Sequence, residues 1–246
     1  MKRFLKMYMV EQKLALRSGD MLIFGVGMPI GILVLIGAIA GEKLAGDTGL
    51  TYLGSAFASL IAVGICAAGF MGIPLTIADY RDKKILKHFF VTPCSPVLIL
   101  ATTITCGMVT AMLSAVCVSI VAMVAFGYRM QGNLLLFVGS WFLTLVSMFS
   151  IGMMLASVCR TVKTANAVTS LVYFPMLFLS GATIPFELFP AGLQRFASFL
   201  PLTQGIRLMK AVSMGVAVEN IKGIVILLLV IAVVCGMISI KTFQWE

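Results

Sequence analysis

The residues best placed to do chemistry lie in one stretch, "YRDKKILKHFFVTPCSP", Tyr80 to Pro96. Arg81, Asp82, Lys83, Lys84, Lys87 and His88 stand there between long apolar runs. Such a cluster binds anions: acidic side chains or phosphates pair with Arg and Lys through charge-assisted hydrogen bonds. It is a poor metal site, because His88 is the chain's single histidine and has no partner at ligand spacing. Six cysteines, at 66, 94, 106, 117, 159 and 235, lack CxxC spacing. All but Cys94 fall in or at the ends of apolar runs, as small buried residues do. No GxxxxGK[ST] phosphate loop, GxSxG or HExxH occurs, so neither catalytic residues nor a cofactor site is expected in this chain.

The elements that must position this cluster are set by composition. The chain of 246 residues is 61% hydrophobic and 11% charged, where soluble domains have about 45–50% and about 25%. Six apolar runs, 21–41, 53–78, 97–127, 134–158, 165–182 and 223–240, contain no Asp, Glu, Lys, Arg or His. Each approaches or exceeds the ~20 residues that a helix needs to cross the hydrocarbon layer. The expectation is an all-α integral membrane protein with six spans in one domain covering 1–246. "AIAG" at Ala38–Gly41 resembles a cleavage site, but the run before it is span-length and more spans follow, so it reads as an uncleaved first span.

Orientation follows from the cations. Twelve of the 18 Lys and Arg fall before span one, in the loops after spans two and four, and after span six. The positive-inside rule then puts both termini and the 80–96 stretch in the cytoplasm of a cell that carries the protein in its plasma membrane. The net charge of +9 is thereby topological, and nucleic acid is not needed to explain it. Residues 1–20 form an amphipathic helix with Lys2, Lys6, Lys13 and Arg17 on one side and Phe4, Leu5, Tyr8, Ala15 and Leu16 on the other. It is expected to lie on the membrane surface, with lipid headgroups as partners. Residues 79–93 read as a short cytosolic helix capped by Asp79 and stopped by Pro93 and Pro96, with Ile85, Leu86, Phe89 and Phe90 on its apolar arc. Between spans five and six, Pro185, Pro190 and Pro201 break an apolar segment, so 183–206 is expected as short helices re-entering the outer leaflet. An ion-coupled carrier would keep ionisable groups inside its bundle, and these runs have none. Uphill transport would therefore take its energy from another subunit.

"DYRDKKILKHFFVTPCSPVLIL" resembles the first cytoplasmic loop of permeases of the ATP-binding-cassette (ABC) type-2 export family. There, mixed charges and a short amphipathic helix precede "TP" or "SP". "FLSGATIPFELFPAGLQRFASFLPLTQGIRLMKA" is similar to the family's late motif in Gly181, Pro185, Pro190, Leu193–Gln194 and Pro201–Thr203. Where many members have a glutamate near Tyr80, this chain has Asp79 and Asp82. The resemblance implies a permease half that pairs with an identical or homologous permease and with two cytosolic ATPase subunits, which hold the ATP and Mg. It implies coupling to the ATPase through Arg81, Asp82, Lys83, Lys84, Ile85, Leu86, Lys87, His88, Phe89 and Phe90. It also implies a substrate route including Asn166, Ser170, Tyr173, Phe174 and Phe178, and an outer gate including Pro185, Glu187, Pro190 and Pro201. Hydrogen bonding between helices is the competing reading for each polar residue of span five. The implied activity is export of a drug, antibiotic or lipid-like compound, with lipid or lipid-linked glycan export the nearest alternative. A non-transporting assembly or sensor partner is the rival from another class.

Overall fold

The computed structural model describes residues 2–19, 23–40, 52–85, 96–182, 189–216 and 221–243, and these are helical apart from turns and the loop 127–133. The first helix, α1 (Lys2–Ser18), is followed by a π-helical turn (Ile23–Gly27) that leads into α2 (Met28–Ala40). A long helix, α3 (Tyr52–Asp82), comes next. Then come α4 (Pro96–Phe126), α5 (Leu134–Val158), α6 (Val162–Leu179), the short α7 (Ala191–Ser198) and α8 (Pro201–Met214), and α9 (Ile221–Thr242). Five of them, α3, α4, α5, α6 and α9, are long and apolar enough to cross a membrane. Against the six spans expected, the first apolar run appears as a shorter helix, Ile23–Ile39. It runs from Gly25, beside Thr110, to Gly37, against the Phe126 ring at the far end of α4.

The bundle is built around α3. The central stretch of α3 is 83% buried, against 44% or less for the other spans. Its sequence explains this. A helix that is apolar all round belongs in an interior. Gly54, Ala56, Ala58, Ala62, Gly64, Ala67, Ala68 and Gly69 let neighbouring backbones approach, which is how helices associate in lipid. α2, α4, α5 and α8 pack around it. Midway, a π-helical turn at Ala68–Gly72 precedes Pro74. Proline lacks the N–H and crowds the carbonyl four residues back, and the wider turn relieves both. The same turn brings Gly69 against α5, where a methyl on Gly152 would sit 2.2 Å from the Gly69 carbonyl oxygen.

Helix ends follow local chemistry. Asn133 caps α5 by accepting the Leu135 N–H at 2.9 Å. Thr161 and Thr164 form a reciprocal capping box at the start of α6. α5 and α6 are therefore joined by a tight turn of only Cys159, Arg160 and Thr161. Pro201 stands in the first turn of α8, and Gly215, at φ 69°, ends it. α8 is amphipathic, and its buried side packs on α3 and α5. α9 lies along α5, where Ser239 donates to the Met153 carbonyl at 3.2 Å and the Ser157 and Thr242 hydroxyls meet at 2.8 Å.

One expectation is corrected here. Asp79 does not cap a separate helix beginning near Arg81. Asp79, Tyr80, Arg81 and Asp82 complete the last turn of α3 itself. The helix ends because Lys83 and Lys84 turn back, their N–H groups bonded to the Asp79 and Arg81 carbonyls, with Lys84 at φ 53°. Tyr80, Arg81 and Asp82 keep helical backbone because their side chains find partners on three other elements.

Candidate functional site

The cytosol-facing reading of 79–93 rests on a cluster of charge, and the structure joins the described part of that cluster to four other elements. The Tyr80 hydroxyl donates to the Glu11 carboxylate of α1. One residue along α1, Gln12 accepts a hydrogen bond from the Cys106 thiol of α4 at 3.0 Å. Arg81 donates from one guanidinium nitrogen to the carbonyls of Ala156 and Cys159, each at 2.6 Å, and its guanidinium lies 4.8 Å from the centre of the Phe243 ring beyond α9. The Asp82 carboxylate accepts the Val162 N–H, the first of α6, at 2.8 Å. Lys83 and Asp79 form an exposed ion pair at 2.8 Å.

The electrostatics of this junction are consistent from end to end. A helix finishes with unpaired carbonyls and begins with unpaired N–H groups, carrying partial negative and positive charge respectively. Arg81 meets the C-terminal carbonyls of α5, and Asp82 meets the N-terminal amides of α6. Neighbouring residues of α3 thus hold opposite poles of one turn. Glu11 is buried. Burial pushes its carboxyl above the ordinary value of 4.5, and the Tyr80 hydrogen bond offsets part of that by favouring the ionised form.

These bonds also place one set of elements at one end of the bundle: α1, the close of α3, the α5–α6 turn and the close of α9. They are the segments that the cation count assigned to one side of the membrane. Loop 127–133 lies at the other end, where Tyr128 and Phe137 pack on the Phe57 ring and Gln131 and Gly132 donate to the Ser213 carbonyl.

Of the coupling residues, Arg81, Asp82, Lys83, Lys84 and Ile85 are described, with Lys83 and Lys84 exposed and Ile85 half-buried. Leu86, Lys87, His88, Phe89 and Phe90 lie outside the described residues, as do Pro185 and Glu187 of the outer gate. Pro190 starts α7 and Pro201 starts α8. The elbow between these two helices is held by Gln204, whose side chain donates to the Ser198 carbonyl at 2.5 Å. The α6 residues divide. Asn166, Phe174 and Phe178 are exposed and share with Ser170 a face outside the bundle, where the Ser170 hydroxyl donates to the Asn166 side chain at 3.4 Å. Tyr173, at the edge of this face, is fully buried in the core, its ring edge-on to Phe174. Among the described residues no three of His, Cys, Asp or Glu converge as a metal site would require.

Sequence reasoning did not single out Glu11, Gln12, Cys106 or Phe243. For Glu11 a signal was available: it is the one acid among the five cations of residues 1–17, and at 100° per residue it falls on the apolar side of α1, opposite the lysines. A carboxylate on such a face needs a donor. Nothing in the pattern said which one.

A family model described as ABC-2 type transporter matches residues 3–214. Nodulation protein J of Rhizobium leguminosarum bv. viciae is 26% identical over 220 residues, 87% of this chain and 82% of that protein. Nodulation protein J of Rhizobium meliloti (strain 1021) is 25% identical over 214 residues, 85% and 78% of the two chains. The inner membrane transport permease YhhJ of Escherichia coli (strain K12) is 26% identical over 133 residues, which is 54% of this chain and 36% of that longer protein.

Proposed function

Because the chain belongs to the ABC-2 type transporter family, as a transmembrane permease component of an ABC transporter, we propose that it exports an apolar or amphipathic compound, driven by an ATPase that docks on 83–93. Membership carries with it an ABC ATPase partner and a second permease. The observation that supports docking at 83–93 is the junction just before it. The buried central helix α3 ends there, bonded to α1, to the α5–α6 turn and against Phe243. A force applied at Lys83 and Lys84 would reach most of the bundle through polar bonds rather than through lipid.

The transport step is alternating access without covalent chemistry. ATP and Mg act on the partner ATPase, and this chain contributes the route. The outward face of α6 supports a place for that route. Ser170 stands about 12 Å along the helix from its start. Lipid offers hydroxyl and amide groups no hydrogen bonds, so Asn166 and Ser170 gain by facing a second permease or a hydrated path. Phe174 and Phe178 on the same face give an apolar substrate aromatic surface. Tyr173 and the starts of α7 and α8 would act behind this face, as support for the route and its outer exit. The cation asymmetry supports cytoplasmic termini, and export from the cell would place the protein in the plasma membrane.

The test is co-purification with the cognate ABC ATPase from co-expressing cells, wild type against Phe89→Ala combined with Lys84→Glu. The expected result is a stable complex for wild type and loss of the ATPase from a still-folded variant. A wild-type chain that brings down no ATPase in mild detergent would overturn the docking reading.

A further inference from the structure

Arg81 and Asp82 are both charged and both precede the exposed lysines, so the resemblance groups them with the docking residues. The geometry points to a different task for them. We propose that Arg81 and Asp82 are positioning residues, which carry movement of the docked segment 83–93 to the α5–α6 turn. The inference rests on docking at 83–93 and adds what that docking moves.

Both side chains bond within the chain, although Asp82 itself is exposed. Arg81 takes the Ala156 and Cys159 carbonyls and lies over the Phe243 ring. Asp82 takes the Val162 N–H, the one at the first position of α6, while the Thr161 hydroxyl takes the N–H two residues later. The two helix termini that flank Cys159–Thr161 thus each receive bonds from a distant helix, beside the cap that Thr161 itself provides. Ordinarily a turn's own residues or water would do all of this. The turn cannot shift relative to α3 without breaking three short charge-assisted bonds. Because Arg81 and Asp82 are consecutive, they hold opposite poles of the same turn as a rigid pair. Lys83 follows Asp82 by one peptide bond, about 3.8 Å between Cα atoms. Displacement of 83–93 therefore reaches α5 and α6 before it spreads through packed side chains. α6 carries the Asn166, Ser170, Phe174 and Phe178 face.

The docking and positioning roles predict opposite tolerances. A hydrogen-bonding role at 82 is met by Asn as well as by Asp, since both cap helices about equally. A charge-docking role is not. At 81, Lys keeps a donor for the carbonyls, and Met keeps only the volume.

The experiment uses the permease in complex with its cognate ABC ATPase in lipid nanodiscs, with ATP, Mg and vanadate as the probe. Hydrogen–deuterium exchange is followed in peptides covering 83–93 and 159–165. In wild type both regions are expected to change exchange on trapping. In Arg81→Met and in Asp82→Ala, complex yield and the response of 83–93 are expected to persist. The response of 159–165 is expected to fall by roughly fivefold or more. Arg81→Lys and Asp82→Asn are expected to restore it, which a merely structural defect would not require. A full response at 159–165 in both Arg81→Met and Asp82→Ala overturns the proposal, and so does loss of the ATPase from Asp82→Asn. If wild type itself shows no ATP-dependent change at 83–93, the docking reading fails first and this inference falls with it. Should Arg81→Met not fold, the Asp82 pair decides alone.

Discussion

Substituting Gly152 by alanine tests the packing on which the whole arrangement rests. A methyl there would lie 2.2 Å from the Gly69 carbonyl oxygen and 3.0 Å from its carbon. Both are backbone atoms of the π-helical turn in α3, so no side chain can rotate aside. Restoring ordinary contact needs roughly 1 Å of separation between α3 and α5 in a close-packed interior. Overpacking of this kind costs about 1–3 kcal/mol, and a clash with backbone belongs at the upper end. Alanine's better helix propensity returns about 1 kcal/mol. The net loss is about 2 kcal/mol, or roughly 4–8 °C in melting temperature for a chain of this size. Gly139 is the control. It lies on the same helix, is exposed, and has no atom within 4 Å of its would-be methyl. Gly139→Ala should therefore melt at or slightly above wild type. The assay is thermal unfolding of detergent-solubilised protein, read as the surviving monodisperse fraction after heating. If Gly152→Ala melts as high as Gly139→Ala, the close crossing of α3 and α5 is wrong, and with it the path from Tyr80–Asp82 into the bundle.

Glu11 makes stability depend on pH in a definite direction. Its folded-state pKa is raised by burial, so its contribution is fully present below the ordinary value of 4.5 and is lost as pH rises through the folded value. Wild type should lose melting temperature between pH 4.5 and neutrality relative to Glu11→Gln, and parallel melting curves of the two across that range would contradict the burial. Thr161→Ala removes the cap of α6 and should lower stability by about 1 kcal/mol, seen in the same thermal assay; no change would mean that the capping box does not form. Lys83→Met breaks an ion pair whose partners are 63% and 38% exposed, and should shift stability by less than about 0.5 kcal/mol. A larger shift would show that the pair is shielded from water.

The sequence by itself determined the class of molecule, because hydrophobicity and charge placement act additively along the chain. Uncharged runs of span length gave the helices, the lysines and arginines sorted the loops, and proline, glycine and threonine marked where helices begin and end. Family resemblance was legible for a similar reason, since its two motifs are local. Partners across the fold were not legible. Arg81 and Asp82 read as two more charges in a basic loop, yet one side chain closes α5 and the other opens α6, more than seventy residues away. Asp79 looked like a cap, and became the last turn of α3, because the residues after it found bonding partners on α1, α5 and α6. Tyr173 and Ser170 stand three residues apart in one helix, and only packing turned the first into the core and left the second outside. A helical wheel shows that an apolar side exists. Which neighbour covers it is settled by the competition of several helices for the same surface, and a charged side chain finds its partner only after that competition has been decided.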